Sequence, residues 1–409
     1  MPTDEMARLL LVDDHESSVE NLTRRLQRLG HRVITAVDGE SALRLLAEEP
    51  FDLVMVDITN PGVDGAALVP KLRRLHTATQ LPVIVASSAG DGMETVKALH
   101  AGANDYVTKP FDFALVLARV QTHLRMKRAV DEVVRLEQDV RRKNEELQAA
   151  FARIKQDLEA AARIQQSLLP TAAPKAPGVQ FAWYFRPCDE LGGDTLNAFR
   201  LDEHHVGFYV LDVSGHGVPA SMLSVSLSRL LQPGPIGASP LKAADSVAGY
   251  RLVPPADVAK LLNDRFPMDV QTQQYFTFFY GVLDVATREL RYVRAGHPGP
   301  ILLRFGGGHE ELGPCCPPIG MVRSAEYTEG RVQLESGDRL YVYSDGVTEA
   351  RSATEEEFGG ERLVEHMEGA WGRTLEESVR EVVSEIEEWC RPRLPDDDVT
   401  MLAIELAGA

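Results

Sequence analysis

The chain has 409 residues, more than one compact core usually holds, so about two or three structural units are expected. Its 61 acidic and 43 basic residues leave a net charge of −18, which disfavours nucleic-acid binding. No apolar run approaches the roughly 20 residues of a membrane-spanning helix, and the acidic first residues lack the features of an export signal. The four cysteines show neither a disulfide-rich count nor the paired spacing of a zinc site. We therefore expect a cytoplasmic protein that binds neither DNA nor membrane.

The first part of the chain, from Arg8 to about His123, alternates short apolar runs with helical stretches. The apolar runs span residues 9–12, 33–36, 53–56, 83–86 and 106–107. This alternation predicts a doubly wound parallel sheet, in which ligands bind where the strands end. The polar residues at these ends are Asp13, Asp14, Asp57, Ser87 and Lys109. Carboxylates gathered in one cleft repel one another unless a divalent cation neutralises them, which favours Mg²⁺.

Four motifs follow one another in this region: LLLVDDH, MVDITNPGVDG, LPVIVASSA and YVTKPF. Together they resemble the receiver domain of bacterial two-component systems. The resemblance implies that Asp57 accepts a phosphoryl group from a sensor histidine kinase. It implies an Mg²⁺ site made by Asp13, Asp14, Asp57 and the Thr59 carbonyl. It also implies that Ser87 and Lys109 contact the phosphoryl group and that Tyr106 is the switching aromatic residue. A degenerate receiver that no longer takes phosphate is the alternative, which the presence of all these residues disfavours.

Between Pro110 and Pro170 the sequence contains neither glycine nor proline, which predicts one long helix or two in tandem. Alternating spacings of four and three mark a heptad seam made of Met126, Val130, Val133, Glu137, Val140, Asn144, Leu147, Phe151, Ile154, Leu158, Ala161, Gln165 and Leu168. So long a rod cannot bury its seam against itself, so we expect a parallel coiled-coil homodimer. The polar seam residues either fix the register or let the coil slip between two states. A single amphipathic helix lying on the next domain is the alternative.

Beyond a proline-containing boundary at residues 170–178, strand-like runs and helical stretches predict sheets sandwiched by helices. The strand-like runs span 181–186, 206–213, 276–283, 290–294, 301–304, 340–343 and 400–406, and the helical stretches span 219–231 and 256–266. Acidic residues stand where strands meet glycine-rich or acidic turns: Asp194, Asp212, Asp345 and Asp397. With no histidine or cysteine cluster beside them, they indicate an all-oxygen site for Mg²⁺ or Mn²⁺. Two such ions can activate a water molecule for attack on a phosphoryl group.

The ordered motifs GGD, DVSGHG, AGHP, YSDGVTEA and DDVT are similar to those of the PPM superfamily of metal-dependent protein phosphatases, in its SpoIIE-like branch. The resemblance covers about Ala161 to Leu406. It implies an α-β-β-α sandwich, two bound Mn²⁺ or Mg²⁺ ions and a phosphoserine or phosphothreonine protein as substrate. It assigns the catalytic metal-binding role to Asp194, Asp212, Asp345 and Asp397, with the Val213 carbonyl as a backbone ligand. Asp398 is a poorer candidate than Asp397.

Several further features leave alternatives open. Asn197 stands where many members of this branch carry a second aspartate, so an accessory metal would be weakened. His216 and His297 are either proton donors or, more commonly at such positions, turn residues. Cys315 and Cys316 lie in a proline-stiffened loop and are interpreted as structural. The segment 233–255, rich in Gly, Pro, Ala and Ser, predicts a mobile surface excursion, with contact to a partner as the alternative.

The sequence thus predicts a multidomain α/β protein with a receiver domain at 1–123, a coiled-coil linker helix at 124–169 and a PPM-type phosphatase domain at 170–409. The hypothesis is that phosphorylation at Asp57 changes how two receivers meet, and that the linker passes this change to the metal site. The usual substrate in the SpoIIE-like branch is an anti-sigma-factor antagonist, which implies partner-switching control of transcription. The alternative is a phosphorylation-controlled adaptor that binds a sigma factor or regulator without hydrolysing anything.

Overall fold

A computed structural model describes residues 6–59, 65–88, 90–247, 249–268 and 273–407. The chain divides into two compact units, Met1–Ala150 and Phe151–Ala409. The division predicted from sequence, at residues 123 and 169, stays a prediction. None of the helices in the described ranges combines the length and the apolar character that crossing a membrane requires.

The first unit contains five strands that alternate with helices. The strands are β1 (Arg8–Val12), β2 (Arg32–Ala36), β3 (Leu53–Asp57), β4 (Val83–Ser88) and β5 (Asp105–Lys109). The helices are α1 (Glu16–Arg28), α2 (Gly39–Glu48), α3 (Gly65–Leu75), α4 (Gly92–His100) and α5 (Phe113–Gln166). The strands form a parallel sheet in the order β2-β1-β3-β4-β5. Helices cover both faces of such a sheet, and β3 is accordingly buried along its whole length. The predicted doubly wound fold is confirmed.

Helix α5 is continuous over 54 residues, as the lack of glycine and proline predicted. Its first turns pack on the receiver sheet through the buried side chains of Val116, Val120 and Leu124. Apolar residues of the predicted seam are exposed further along, and Val140 and Phe151 expose 58% and 65% of their surface. Pairing with a second helix would cover such a seam, and the coiled coil stays a prediction.

Besides the end of α5, the described part of the second unit contains twelve strands, five α-helices and a short 3₁₀ helix at Ala370–Gly372. The strands are β6 (Val179–Arg186), β7 (Thr195–Arg200), β8 (His205–Val213), β9 (Lys242–Asp245), β10 (Gly249–Leu252), β11 (Phe276–Asp284), β12 (Glu289–Ala295), β13 (Ile301–Leu303), β14 (His309–Glu311), β15 (Gly330–Gln333), β16 (Arg339–Tyr343) and β17 (Val399–Leu406). The helices are α6 (Val218–Leu230), α7 (Pro255–Arg265), α8 (Asp345–Thr348), α9 (Gly359–Gly369) and α10 (Leu375–Trp389).

These elements form four layers. One sheet has the order β15-β12-β11-β8-β7 and the other has the order β14-β13-β16-β17-β6. Their inner faces share one apolar core, to which Phe208 and Phe279 contribute from the first sheet and Leu340 and Leu402 from the second. The outer face of the first sheet packs on α6 and α7, and that of the second packs on α9 and α10. The α-β-β-α sandwich expected from the sequence is confirmed.

Segment 233–255 contains more regular structure than its composition indicated, and its mobility stays a prediction. Its described residues include the antiparallel hairpin β9–β10. The apolar residues on either side of the hairpin, Leu241 and Val253, are buried in the core under α6 and α7. Two anchors of this kind hold a glycine- and proline-rich segment on the domain, which average composition does not reveal.

Candidate functional site

The receiver cleft lies where β1, β3 and β5 end. The Lys109 Nζ atom lies 2.6 Å from Asp57 Oδ2 and 2.8 Å from Asp13 Oδ2. The Thr59 amide and hydroxyl donate to Asp57 Oδ1 at 2.9 and 2.7 Å. Burial by itself would raise the pKa of Asp57, but the hydrogen bonds from Lys109 and Thr59 outweigh burial and lower this pKa. Asp57 therefore remains a carboxylate at neutral pH.

The other receiver residues surround this centre at different depths. Ser87 is buried near the end of β4, next to β3 in the sheet. Asp14 is exposed and lies 3.0 Å from the His15 ring. Tyr106 lies on β5 and is 39% exposed, and the Arg119 guanidinium lies 5.4 Å from the centre of its ring. The structure thus brings Asp13, Asp57 and Lys109 into contact and places Tyr106 at the surface.

The second site lies between the two sheets of the sandwich. Asp194 immediately precedes β7, and Asp212 lies at the end of β8. Asp345 follows β16 at the start of α8, and Asp397 precedes β17. Because β7 and β8 are antiparallel neighbours, as are β16 and β17, the start of one strand meets the end of the next. These pairings join Asp194 to Asp212 and Asp345 to Asp397. The charges of Asp345 and Asp397 also act on Asp212 from the other sheet, so the four acids predicted from sequence converge at one end of the sandwich.

The electrostatics of this cluster show strong repulsion between carboxylates. Burial, followed by the charges of Asp345 and Asp397, raises the pKa of Asp212 to about 8. Burial and then Asp397 raise the pKa of Asp345 to about 6. Burial and then Asp212 also raise the pKa of Asp194 well above its usual value. So many ionised oxygens are stable together only when cations neutralise them.

Two local features show that hard cations fit this site. The Asp194 Oδ2 atom is buried without a hydrogen-bond partner among the described residues. Gly193 leaves room beside the Val213 carbonyl, since a Cβ atom there would lie 2.8 Å from this oxygen. The site therefore offers carboxylate and carbonyl oxygens, the donors that Mg²⁺ and Mn²⁺ prefer.

Asp397 and Asp398 lie in different environments. Asp398 is buried, and its two carboxylate oxygens accept hydrogen bonds from the Cys188 amide at 2.8 Å and the Asp194 amide at 3.1 Å. The Ser344 hydroxyl donates to its carbonyl at 3.2 Å. Asp397 is exposed, and its charge helps to raise the pKa of Asp212. This geometry supports Asp397 as the ligand and gives Asp398 the task of holding the surrounding loops.

Gln165 has a role that its position in the heptad seam did not reveal. The sequence pattern placed it among polar residues of a coiled coil. In the structure its side chain is buried, with Nε2 donating to the Gly192 carbonyl at 2.7 Å and Oε1 accepting from the Gly192 amide at 3.2 Å. The end of α5 is therefore fastened to the loop that carries Asp194. The only hint of this contact in the sequence was the position of Gln165, a polar residue shortly before the predicted domain boundary.

The remaining candidates occupy three kinds of position. His216 is exposed and lies 3.2 Å from Asp189, whereas His297 is buried and bonds to Thr277. Asn197 faces the helix layer with Tyr209, its partner across β7 and β8, and not the space between the sheets. Cys315 is exposed and Cys316 is buried, and both are free thiols.

Thr277 was not identified from sequence. It pairs with Asp212 across β11 and β8 and faces the same side of the sheet. A lone threonine inside an apolar strand carries no signal of its own, and only the register of the two strands places it beside a carboxylate.

Comparison with known families and proteins agrees with this geometry. The family described as Stage II sporulation protein E (SpoIIE) matches residues 202–407, about half of the chain, and the response regulator receiver domain matches residues 9–121. The first range includes Asp212, Asp345 and Asp397 but begins after Asp194. The second includes all the receiver residues discussed above.

Similar curated proteins each match only part of this chain. Protein IcfG of Synechocystis is 28% identical over 264 residues, which cover 61% of this chain and 41% of that protein. Phosphoserine phosphatase RsbP of Bacillus subtilis is 31% identical over 194 residues, which cover 47% of this chain and 45% of RsbP. Response regulator PleD of Caulobacter vibrioides is 35% identical over 136 residues, 33% of this chain and 30% of PleD. The chain thus spans less than half the length of these relatives.

Among solved structures, the SiaA-PP2C domain of Pseudomonas aeruginosa superposes with a TM-score of 0.52 at 21% identity, covering 63% of this chain and 98% of that domain. This similarity shows that the two proteins share a fold. The family match, the fold and the convergent acids agree, and the chain therefore belongs to the SpoIIE family, with a response regulator receiver domain ahead of its phosphatase-type domain.

Proposed function

We propose that this protein is a metal-dependent phosphoserine/phosphothreonine protein phosphatase whose rate is controlled by phosphorylation of Asp57. The observation that carries the proposal is the convergence of Asp194, Asp212, Asp345 and Asp397 at one end of the sandwich. Their raised pKa values express a repulsion that two divalent cations would relieve.

The four acids and the Val213 carbonyl would hold two Mn²⁺ or Mg²⁺ ions. When bound, such ions neutralise phosphoryl charge and make water a better nucleophile. The protein positions the acids that would hold these ions. Asp194 is fixed through its amide by Asp398, and Asp345 lies at the start of α8, where Gly346 leaves room for the Asp398 carbonyl. Asp397 is exposed at the rim, so a phosphoserine carried on another protein can reach the site.

The receiver would be the input of the same protein. Asp57 would accept the phosphoryl group from a sensor histidine kinase, beside an Mg²⁺ ion held by Asp13, Asp14, Asp57 and the Thr59 carbonyl. Lys109 already contacts both Asp13 and Asp57, so its ammonium group is in place to pair with the added charge. Ser87 would donate to the phosphoryl group, and Tyr106 would change its exposure.

The linker would carry the signal between two copies of the chain. Seam residues such as Val140 and Phe151 are exposed, and a second α5 in parallel orientation would cover them. The same helix ends at Gln165, which is bonded to Gly192 in the loop of Asp194. A shift of the paired helices would therefore reach a metal ligand through one side chain.

The proposed substrate class is supported by a relative. RsbP bears the name phosphoserine phosphatase, and its matching region supports a phosphoserine protein as substrate. We infer that the substrate is an anti-sigma-factor antagonist in a partner-switching pathway.

The test is hydrolysis of a phosphoserine peptide by the full chain with Mn²⁺ and with EDTA. We expect Mn²⁺-dependent release of phosphate that Asp212→Asn abolishes, because one ligand of the cluster is lost. Asp264→Asn is the matched control, since Asp264 is an exposed aspartate on α7. Absence of hydrolysis with Mn²⁺, in both receiver states, would favour the adaptor that binds its partner without hydrolysis.

A further inference from the structure

A row of polar side chains crosses the first sheet at the end that carries the acids. Phe276 and Phe278 point to the layer of α6 and α7, so Thr277 between them faces the space between the sheets. Asp212 faces the same space, because its neighbours Leu211 and Val213 point to the helices. The register pairs Thr277 directly with Asp212. A hydroxyl group thus lies beside the proposed metal ligands without being one of them.

The Thr277 hydroxyl is held from its far side by His297. The Thr277 Oγ1 atom lies 2.8 Å from His297 Nδ1, and His297 is only 1% exposed. The main chain of His297 is held as well, since the Arg294 side chain donates to the His297 carbonyl at 2.7 Å. Gly296, with a φ of 66°, makes the turn that brings His297 under the sheet. His297 is therefore buried and held through both its ring and its main chain, whereas Thr277 is partly exposed toward the acids.

The protonation state of His297 decides which way the Thr277 hydroxyl points. Burial and then the charge of Arg294 lower the pKa of His297 to about 3, so the ring is neutral and one nitrogen accepts. The Tyr343 carbonyl acts on the ring in the opposite direction and raises its pKa, and Nε2, the nitrogen not bonded to Thr277, is buried without a hydrogen-bond partner among the described residues. A carbonyl can only accept, which favours the proton on Nε2. Nδ1 then accepts from the Thr277 hydroxyl.

This arrangement leaves the Thr277 oxygen with lone pairs but no proton for the acid cluster. A phosphoryl oxygen also lacks a proton and would gain nothing from such a group. A water molecule, by contrast, can donate to it and be oriented by it.

We propose that Thr277 is a further catalytic residue that accepts a hydrogen bond from the attacking water, and that His297 is the positioning residue that orients the Thr277 hydroxyl. The proposal rests on the proposed phosphatase function. In the reaction, the water oxygen bonds to phosphorus as the bond from phosphorus to the serine oxygen breaks. The water leaves a hydroxyl on the phosphate, and its other proton goes to the serine oxygen. Thr277 neither gains nor loses a proton.

The test compares Thr277→Val, Thr277→Ser and Ser378→Ala in the full chain. Valine keeps the shape of threonine without the hydroxyl, and serine restores the hydroxyl. Ser378→Ala is the matched control, because it removes another buried hydroxyl. Ser378 lies on α10, and its hydroxyl bonds to that of Tyr341 in the sheet below. We expect Thr277→Val to lower kcat about 10- to 100-fold with little change in KM. The kcat of Thr277→Ser and of the control should stay within about threefold of the wild-type value.

Two further measurements separate this role from a structural one. Calorimetric titration with Mn²⁺ should give the same affinity for Thr277→Val as for the natural chain, and a loss of affinity equal to the loss of kcat would overturn the proposal. The ¹⁵N spectrum of the metal-free chain should show His297, assigned through His297→Asn, with its proton on Nε2, and a proton on Nδ1 would overturn it. An unchanged kcat in Thr277→Val overturns this proposal alone. An inactive natural chain overturns it together with the phosphatase function.

Discussion

Asp212 is a single residue on which burial and neighbouring charges act in the same direction. Its carboxyl group lies at the end of β8 among Asp194, Asp345 and Asp397, and its pKa rises to about 8. A carboxylate in this position costs folding free energy unless it binds a cation. The residue is therefore destabilising in the absence of a cation, and perturbed carboxyl groups of this kind are common at functional sites.

The pH dependence of stability follows from this electrostatic cost. The folded chain without metal holds protons on Asp212 and Asp345 that the unfolded chain releases near the ordinary value of 3.8. Their stabilising contribution is therefore present at low pH and is lost as pH rises through about 6 and about 8. In EDTA, the melting temperature should fall as pH rises to about 8, because the protons on both groups are then lost. Added Mn²⁺ should restore the melting temperature.

The charge that Asp212 contributes can be removed by one substitution. At pH 8 in EDTA, Asp212→Asn should melt several degrees above the natural chain, whereas Asp264→Asn should not. Calorimetry across the pH range measures both effects. Identical profiles for the natural chain and Asp212→Asn would show that the cluster repels less strongly than its geometry indicates.

Helix α5 is the element in which packing changes most along its length. Its start is buried on the receiver sheet, its middle exposes an apolar seam, and its end is bonded to the loop of Asp194. Gln165 makes two hydrogen bonds with the main chain of Gly192, and the site around it is buried. An apolar replacement would leave both Gly192 groups without partners, which costs about 1–3 kcal/mol for each group.

The role of the Gln165 contact can be tested by comparing substitutions at Gln165 and at the adjacent Gln166. Gln165→Leu should lower the phosphatase rate about tenfold and raise the Mn²⁺ concentration needed for half of the full rate, because the loop of Asp194 loosens. Gln166→Leu is the control, since Gln166 is exposed on the same helix. Rates measured over a Mn²⁺ titration separate the two effects. Equal rates for both variants would exclude a role for Gln165 in the site.

At the scale of the whole molecule, a receiver domain and a phosphatase-type domain lie on one chain and are joined by one helix. The receiver match ends at residue 121 and the SpoIIE match begins at residue 202. Between them lies the seam that we propose as the dimer contact. Two polar seam residues, Glu137 and Asn144, would weaken the coil locally, and such weak points allow one helix pair to adopt two registers.

Coupling through the dimer predicts a change of shape with the receiver state. Sedimentation of the full chain should give the mass of a dimer, and beryllofluoride, which mimics the phosphoryl group on Asp57, should change the sedimentation rate and the phosphatase rate together. Asp57→Asn should prevent both responses, because the acceptor is lost. A phosphatase rate that responds while mass and shape stay constant would contradict the relay through paired linkers.

Much of this protein could be predicted from local sequence pattern. Apolar runs of strand length, separated by helical stretches, predicted the receiver sheet, and acids beside glycine turns predicted which carboxylates gather in the second unit. The continuous helix followed from the absence of glycine and proline between residues 110 and 170. These features depend on residues close together in the chain, so the pattern carries them directly.

The tertiary structure decided the features that depend on residues far apart in sequence. Asp398 and the Asp194 amide, Gln165 and Gly192, and Thr277 and His297 are pairs that no spacing rule connects. Strand register and helix docking bring each pair together, and a shift of one residue in register would turn Thr277 away from Asp212. The sequence by itself therefore determined which acids and which folds are present. Only the packed structure decided which uncharged side chains support them, because burial and register arise from the whole domain.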